Sequence, residues 1–443
     1  MAENGLIALT AIEASEKIAG GEISSEEYTS ACLDRIAAID DQVHAFVHLD
    51  PKEALNQARA LDEHRRNGYA LGALHGIPVA IKDIFDTADY KTECGSPLLK
   101  GRQPMRDATA VSRLRAAGAV IIGKTVSTEF AYFHPGPTRN PRDLTRTPGG
   151  SSSGSAAAVA SGMVPLAIGS QTNGSMIRPA SYCGVYGVKP THGLVSRARS
   201  LTLSRALDHV GVFARSLADT ALILETLAGY DADDPDTRPL AAPAFLETLA
   251  GAPPMPPQFA FVRTPVWDQA EPDTRATFEA LAEELGEAAT PIDLPPSFTR
   301  AWEDHRVIMA TDMAHNLGGI IARGPDRASQ QVRDFVAEGK ANAAVRYLEA
   351  RDAARSYAAG LTTLFDRYDA ILTPATTGVA PVGTATGNPV FCSLWTLTGL
   401  PTVTLPLLAG EGGMPLGVQL VGPAGDDGRL LRSANWLIDR LAG

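Results

Sequence analysis

Short apolar runs recur at both ends of this chain, at residues 79–81, 119–122 and 164–168 and again at 370–372, 403–405 and 418–421. They lack the alternation of a strand with one wet face, so they read as strands buried on both sides. Residues 109–117, between the first two runs, read as a helix stopped by Gly118. Strand, helix, strand in that order predicts an α/β fold, a large mixed, mostly parallel central sheet with helices on both faces. Because the strands come from both ends of the chain, residues 1–443 read as a single domain with a helical middle insertion or cap over about 231–368.

The remaining local signals agree with a helix-rich frame. Thr10-x-x-Glu13 and Ser24-x-x-Glu27 are capping boxes, in which hydroxyl and carboxylate satisfy the amides of a helix start. Residues 52–66 are helical in composition and end at Asn67-Gly68; Ser216-x-x-Asp219 opens a further helix that Gly229 stops. Residues 231–257 turn acidic and then proline-rich, as a surface connection does. Residues 272–286 carry Phe278, Leu281 and Leu285 on one helical face, and 301–368 read as mostly helical.

Composition excludes several classes of function. A net charge of −11 argues against a general nucleic-acid binder, which needs clustered Lys and Arg. No apolar run approaches the roughly 18–20 residues of a membrane span, so no membrane partner is expected. The first ten residues lack the basic start and cleavage site of a signal peptide, and Cys32, Cys94, Cys183 and Cys392 have no metal-ligand spacing. The expectation is a soluble, cytoplasmic protein without metal or other cofactor, with a homodimer left open.

Chemistry concentrates between Gly149 and Ala180. The stretch opens with Gly149-Gly-Ser-Ser-Ser-Gly-Ser155 and closes with Gln171-Thr-Asn-Gly-Ser-Met-Ile-Arg-Pro-Ala180. Ser152 satisfies Gly-x-Ser-x-Gly, but that nucleophile elbow needs a strand immediately before it, and residues 139–148 make a poor one. No Gly-Lys-Ser/Thr follows the glycines, which removes a phosphate-binding loop. Ser151 and Ser175 remain, and a serine nucleophile needs a base. No histidine lies within 149–180, whereas Lys82 ends the apolar segment Gly76-Ile-Pro-Val-Ala-Ile-Lys-Asp83. The amides of 172–175 could converge on one point as an oxyanion hole or form an ordinary turn.

These pieces together resemble the amidase signature family. The resemblance rests on the 76–83 segment, Gly136-Pro-Thr-Arg-Asn-Pro141, the two serine regions and Cys183-Gly-Val-Tyr-Gly-Val-Lys-Pro-Thr191, within a signature core of about 74–193. Asp369-Ala-Ile-Leu-Thr-Pro374, Gly399-Leu-Pro401 and Leu416-Gly-Val-Gln-Leu-Val-Gly422 extend it toward the C-terminus. It implies an amidohydrolase with Ser175 as nucleophile, Ser151 as bridging serine on a cis peptide, and Lys82 as general base. The amides of Thr172, Asn173, Gly174 and Ser175 would receive the oxyanion, and the product would form through an acyl-enzyme.

Two departures bear on the substrate. Many members read Asp-Thr-Gly-Gly-Ser with an arginine two places on, whereas this chain reads Gln171-Thr-Asn-Gly-Ser175 with Ile177 at that place and Arg178 one further. The Ser-x-x-Arg-Pro form resembles a malonamidase-like subgroup, in which the arginine would anchor a substrate carboxylate, assisted by Ser170. Alternatively Arg178 pairs with a nearby acid and holds the loop. Tyr132, Phe133 and His134 are candidate substrate contacts, and Trp302 and Trp395 could reach the pocket from the cap and the C-terminal part. A small carboxamide is the expected substrate, with aryl amides or carbamates as the alternative and a glutamine-hydrolysing amidotransferase subunit ranked lower.

Overall fold

In the computed structural model, which describes residues 3–239 and 241–442, an eleven-stranded sheet runs through the molecule. Its strands are β1 (Phe46–Leu49), β2 (Pro78–Lys82), β3 (Val120–Thr125), β4 (Leu166–Gln171), β5 (Tyr186–Lys189), β6 (His209–Ala214), β7 (Phe259–Arg263), β8 (Ala289–Asp293), β9 (Ala370–Pro374), β10 (Thr402–Ala409) and β11 (Pro415–Val421). Their order across the sheet is β1-β3-β2-β4-β6-β5-β10-β11-β9-β7-β8. All six apolar runs read from the sequence overlap strands, and both capping boxes form at Thr10 and Ser24. Among the described residues no helix is long and apolar enough to cross a membrane.

The sheet is mixed, as expected, but the balance of directions differs from a mostly parallel sheet. Six of the ten strand pairings are antiparallel, including both partners of β6 and both of β10. Every residue of β6 is buried although it pairs antiparallel on both sides. Helices cover both faces of these central strands, so burial removes the alternation that normally betrays antiparallel pairing. The middle segment also differs from a purely helical cap. Residues 301–368 are helical in Ala301–Ile321, Gln330–Ala341 and Ala344–Thr362, but β7 and β8, earlier in the segment, extend the sheet beyond β9.

Two features of this frame position the candidate site. Strands β2 and β4 are parallel neighbours, with Ile81 opposite Ile168, so the C-terminal ends that carry Lys82 and Ser170 emerge side by side. The fully apolar register beneath them (Val79, Ala80, Ile81, Leu166, Ala167 and Ile168) is inaccessible to water. The Gly/Ser run then enters the helix Ser153–Ala160, whose Ser, Gly and Ala side chains let it sit wholly inside the molecule. A Cβ on Gly154 would lie 2.2 Å from the Ala45 carbonyl oxygen and 2.4 Å from the Val126 nitrogen, both backbone atoms that cannot swing aside.

Gly154→Ala is therefore expected to cost about 1–3 kcal/mol through overpacking. The loss should appear as a lowered denaturant midpoint, with reduced reactivity of the serine loop that the helix anchors.

Candidate active site

Lys82 is the centre of the site's polar contacts. Its side chain is inaccessible to solvent, and its Nζ donates to Ser151 Oγ at 2.7 Å and to Ser170 Oγ at 2.8 Å. Burial pulls the ammonium down from 10.5 to about 7, and the buried Asp208 carboxylate opposes that shift only in part. A lysine held between two neutral hydroxyls in this way can be an unprotonated amine at neutral pH. Its lone pair then accepts a proton across the contact through which the ammonium would donate.

Ser151 follows a cis Gly150–Ser151 peptide. Residues 141–152 form turns and irregular chain rather than a strand, so Ser152 has no nucleophile elbow. Ser152 Oγ instead donates to the Ser170 carbonyl at 3.2 Å and accepts from the Ser170 amide at 3.3 Å, tying the Gly/Ser run to the end of β4.

The chain from Gln171 to Ser175 turns from β4 into the helix Ile177–Cys183. Gln171 Oε1 accepts from the amides of Met176 (2.8 Å) and Ile177 (3.1 Å) and closes this turn. Thr172 Oγ1 donates to Asp208 at 2.6 Å, and burial raises that carboxyl to about 6. Behind the turn, the carbonyls of Thr172, Asn173 and Gly174 accept from His305 Nε2 (2.9 Å), Thr396 Oγ1 (2.6 Å) and the Arg178 amide (3.0 Å). Among the described residues, no protein acceptor engages the amides of Thr172, Asn173, Gly174 or Ser175. Ser175 keeps 7% of its surface accessible, and its hydroxyl has no hydrogen bond among those residues.

A cavity of about 400 Å³ borders this turn. Asn173, Tyr132, Phe133, Trp302, Met309 and Phe335 line it, together with His305, Arg306 and the 387–390 loop. Tyr132 stacks on Phe335 with centroids 4.5 Å apart and meets Phe133 edge-on, so these rings form one aromatic patch of the wall. Trp302, His305, Arg306 and Met309 present one face of the helix Ala301–Ile321, at i, i+3, i+4 and i+7 spacing.

The expected residues divide clearly. Lys82, Ser151 and Ser170 are brought together, and Tyr132, Phe133, Asn173 and Trp302 reach the cavity. His134 is exposed, and only its carbonyl has a local role, accepting from the Glu129 amide. Trp395 is wholly buried on the helix Val390–Leu397 and does not line the cavity, which that helix meets through Val390 and Ser393. Arg178 is also buried, and it pairs with no acid among the described residues. Its Nη2 donates to the Gly150 carbonyl (2.7 Å) and its Nη1 to the Gly387 carbonyl (3.0 Å), while the guanidinium lies 5.6 Å from the Phe133 ring centroid. His305, Thr396, Ser393 and Asp208 were not anticipated; they lie between 36 and 223 residues from the partners they hold, and no local pattern marks them.

The chain belongs to the amidase family, whose model, described as Amidase, matches residues 27–431. Membership makes the chain an enzyme of the C–N hydrolase or amidotransferase class. The chain is 36% identical to the A-subunit of the glutamyl-tRNA(Gln) amidotransferase of Salinispora arenicola (strain CNS-205), over 97% of this chain and 96% of that relative. Among solved structures, the peptide amidase from Stenotrophomonas maltophilia superposes with a TM-score of 0.86 at 31% identity, covering 98% of this chain and 97% of that one. A component of a vestigial protein complex, described as revealing the origins of an s-triazine catabolic enzyme, gives 0.91 at 32% identity, covering 97% and 98%.

Gln171→Leu would leave the buried amides of Met176 and Ile177 without their acceptor. The expected cost is about 2–6 kcal/mol, at roughly 1–3 kcal/mol for each of the two orphaned groups. Chemical denaturation would measure it, and Gln171→Glu, which keeps an acceptor, should recover most of the loss.

Proposed function

We propose that the protein hydrolyses a carboxamide through an acyl-enzyme on Ser175, with Ser151 relaying protons and Lys82 as the base. The observation that carries this reading is the 2.7 Å contact between a fully buried lysine amine and Ser151 Oγ. Lys82 takes the Ser151 proton while Ser151 takes that of Ser175, whose Oγ attacks the amide carbon. The carbonyl oxygen gains the negative charge and is received by the free amides of residues 172–175. The C–N bond then breaks as Ser151 returns a proton to the leaving nitrogen. Water hydrolyses the ester by the same route, releasing a carboxylic acid and restoring both serines.

The cavity supports an apolar or aryl group on the substrate, because Tyr132, Phe133, Trp302 and Phe335 give its wall aromatic surface. It gives less support to a carboxylate held by Arg178, whose two terminal nitrogens already donate to backbone carbonyls. We read Arg178 as a brace between the Gly150 and Gly387 carbonyls. A second reading, as one component of an amidotransferase, is favoured by the 36% identity to the A-subunit of a glutamyl-tRNA(Gln) amidotransferase over nearly the whole chain. Under that reading the purified chain would need a partner protein and would prefer glutamine.

A fluorophosphonate should form an adduct on Ser175 in the isolated chain, visible by mass spectrometry, and its absence would sink the acyl-enzyme reading. Protonated Lys82 cannot act as base, so labelling should rise about tenfold per pH unit below a midpoint near 7 and level off above it. Lys82→Ala should lose both the rate and that pH dependence. In a panel pairing neutral amides with carboxylate-bearing analogues, Arg178→Ala should slow both classes alike; selective loss of the carboxylate class would restore the anchor.

A further inference from the structure

The turn that carries Ser175 has three successive carbonyls tied on one side and four amides unengaged by protein acceptors. In a trans peptide the C=O and the following N–H point in opposite directions, so a bond to the carbonyl holds the amide behind it in one orientation. The tie on Gly174 is an ordinary helix-start bond from the Arg178 amide. The tie on Asn173 comes from Thr396 Oγ1, itself held by Gln171 Nε2 at 2.9 Å. The tie on Thr172 comes from His305 Nε2 at 2.9 Å, and it reaches across 133 residues from the helix Ala301–Ile321.

We propose that His305 is a positioning residue: by donating from Nε2 to the Thr172 carbonyl it orients the Asn173 amide toward the substrate oxygen. This rests on the reading of residues 172–175 as an oxyanion hole. His305 is buried and faces no carboxylate within salt-bridge distance, so burial lowers its basicity to about 4 and the ring is neutral in the working range. A neutral imidazole carries one N–H, and a carbonyl can only accept, so that hydrogen sits on Nε2. The other nitrogen, Nδ1, has no protein partner among the described residues, and His305 lines the cavity. The helix that shapes the aromatic wall thus also holds one peptide of the oxyanion turn. The Asn173 side chain is also fixed, because its Oδ1 accepts from Ser393 Oγ at 2.7 Å.

The test uses a short-chain alkyl fluorophosphonate, whose phosphoryl oxygen occupies the oxyanion position, and reads the second-order rate of Ser175 labelling. Removing an oxyanion donor outright costs about 10²–10³-fold, so loss of its orienting contact should cost about tenfold. His305→Ala and His305→Phe should both show that loss, whereas His305→Gln, which keeps an N–H donor, should label within about threefold of wild type. Labelling of His305→Phe at the wild-type rate would mean that ring volume suffices, and His305→Gln as slow as His305→Ala would mean that the donor is irrelevant; either overturns the proposal. If the variants fail to fold, histidine-selective 15N NMR of the unmodified protein decides, since an Nδ1–H tautomer at His305 refutes the assignment. A wild-type chain without any Ser175 adduct would sink the hydrolase reading itself, whereas normal wild-type labelling with unaffected variants would sink this inference alone.

Discussion

Burial of the Lys82 amine without a carboxylate partner is the constraint on which the site depends. An ammonium removed from water loses its hydration, and two serine hydroxyls return only part of it. The contrast with Lys124, at the end of the adjacent β3, is instructive. That lysine is equally buried, but Asp83 stands 3.0 Å away and Thr92 accepts from it at 2.7 Å. Two lysines on neighbouring parallel strands thus occupy similar depths in different company. Lys124 belongs to a structural ion pair, whereas Lys82 is left with groups that accept or relay a proton.

Such a lysine can be held only if everything around it is dense and short-reaching. The helix Ser153–Ala160 supplies that density with small side chains, and Gly154 allows the backbone to press against the segment after β3. Ser152 links the loop to β4 through the Ser170 main chain, and Arg178 holds the Gly150 carbonyl from the other side. The polar residues of the serine-rich run are thus divided between chemistry and support. Ser151 faces the lysine, whereas Ser152 and Ser155 bond to the main chain of β4.

Much of this was legible in the sequence. Six strands and both capping boxes followed from short-range pattern, and the pairing of Lys82 with a glycine-rich serine loop from the resemblance to the amidase signature family. Strand direction was not legible, because β6 is buried on both faces and an antiparallel strand in that position has the same apolar run as a parallel one. Strands β7 and β8 were missed within a segment whose helices dominate its composition. Ser170 was considered as an aid to a carboxylate anchor; the register of β2 with β4 makes it an acceptor for Lys82 instead.

What the sequence determined by itself is the set of candidate reacting groups, two serines in glycine-rich surroundings and a lysine at a strand end, within a family-specific order of motifs. Tertiary structure alone decided how those groups behave. Lys82 is available as an unprotonated amine because strands and helices drawn from distant parts of the chain bury it, and the Arg178 donors are taken by two carbonyls, 28 and 209 residues away. Two carbonyls of the Ser175 turn are likewise held from behind by His305 and Thr396, 133 and 223 residues away. Desolvation and long-range hydrogen bonds have no periodicity along a chain, so only the folded arrangement expresses them.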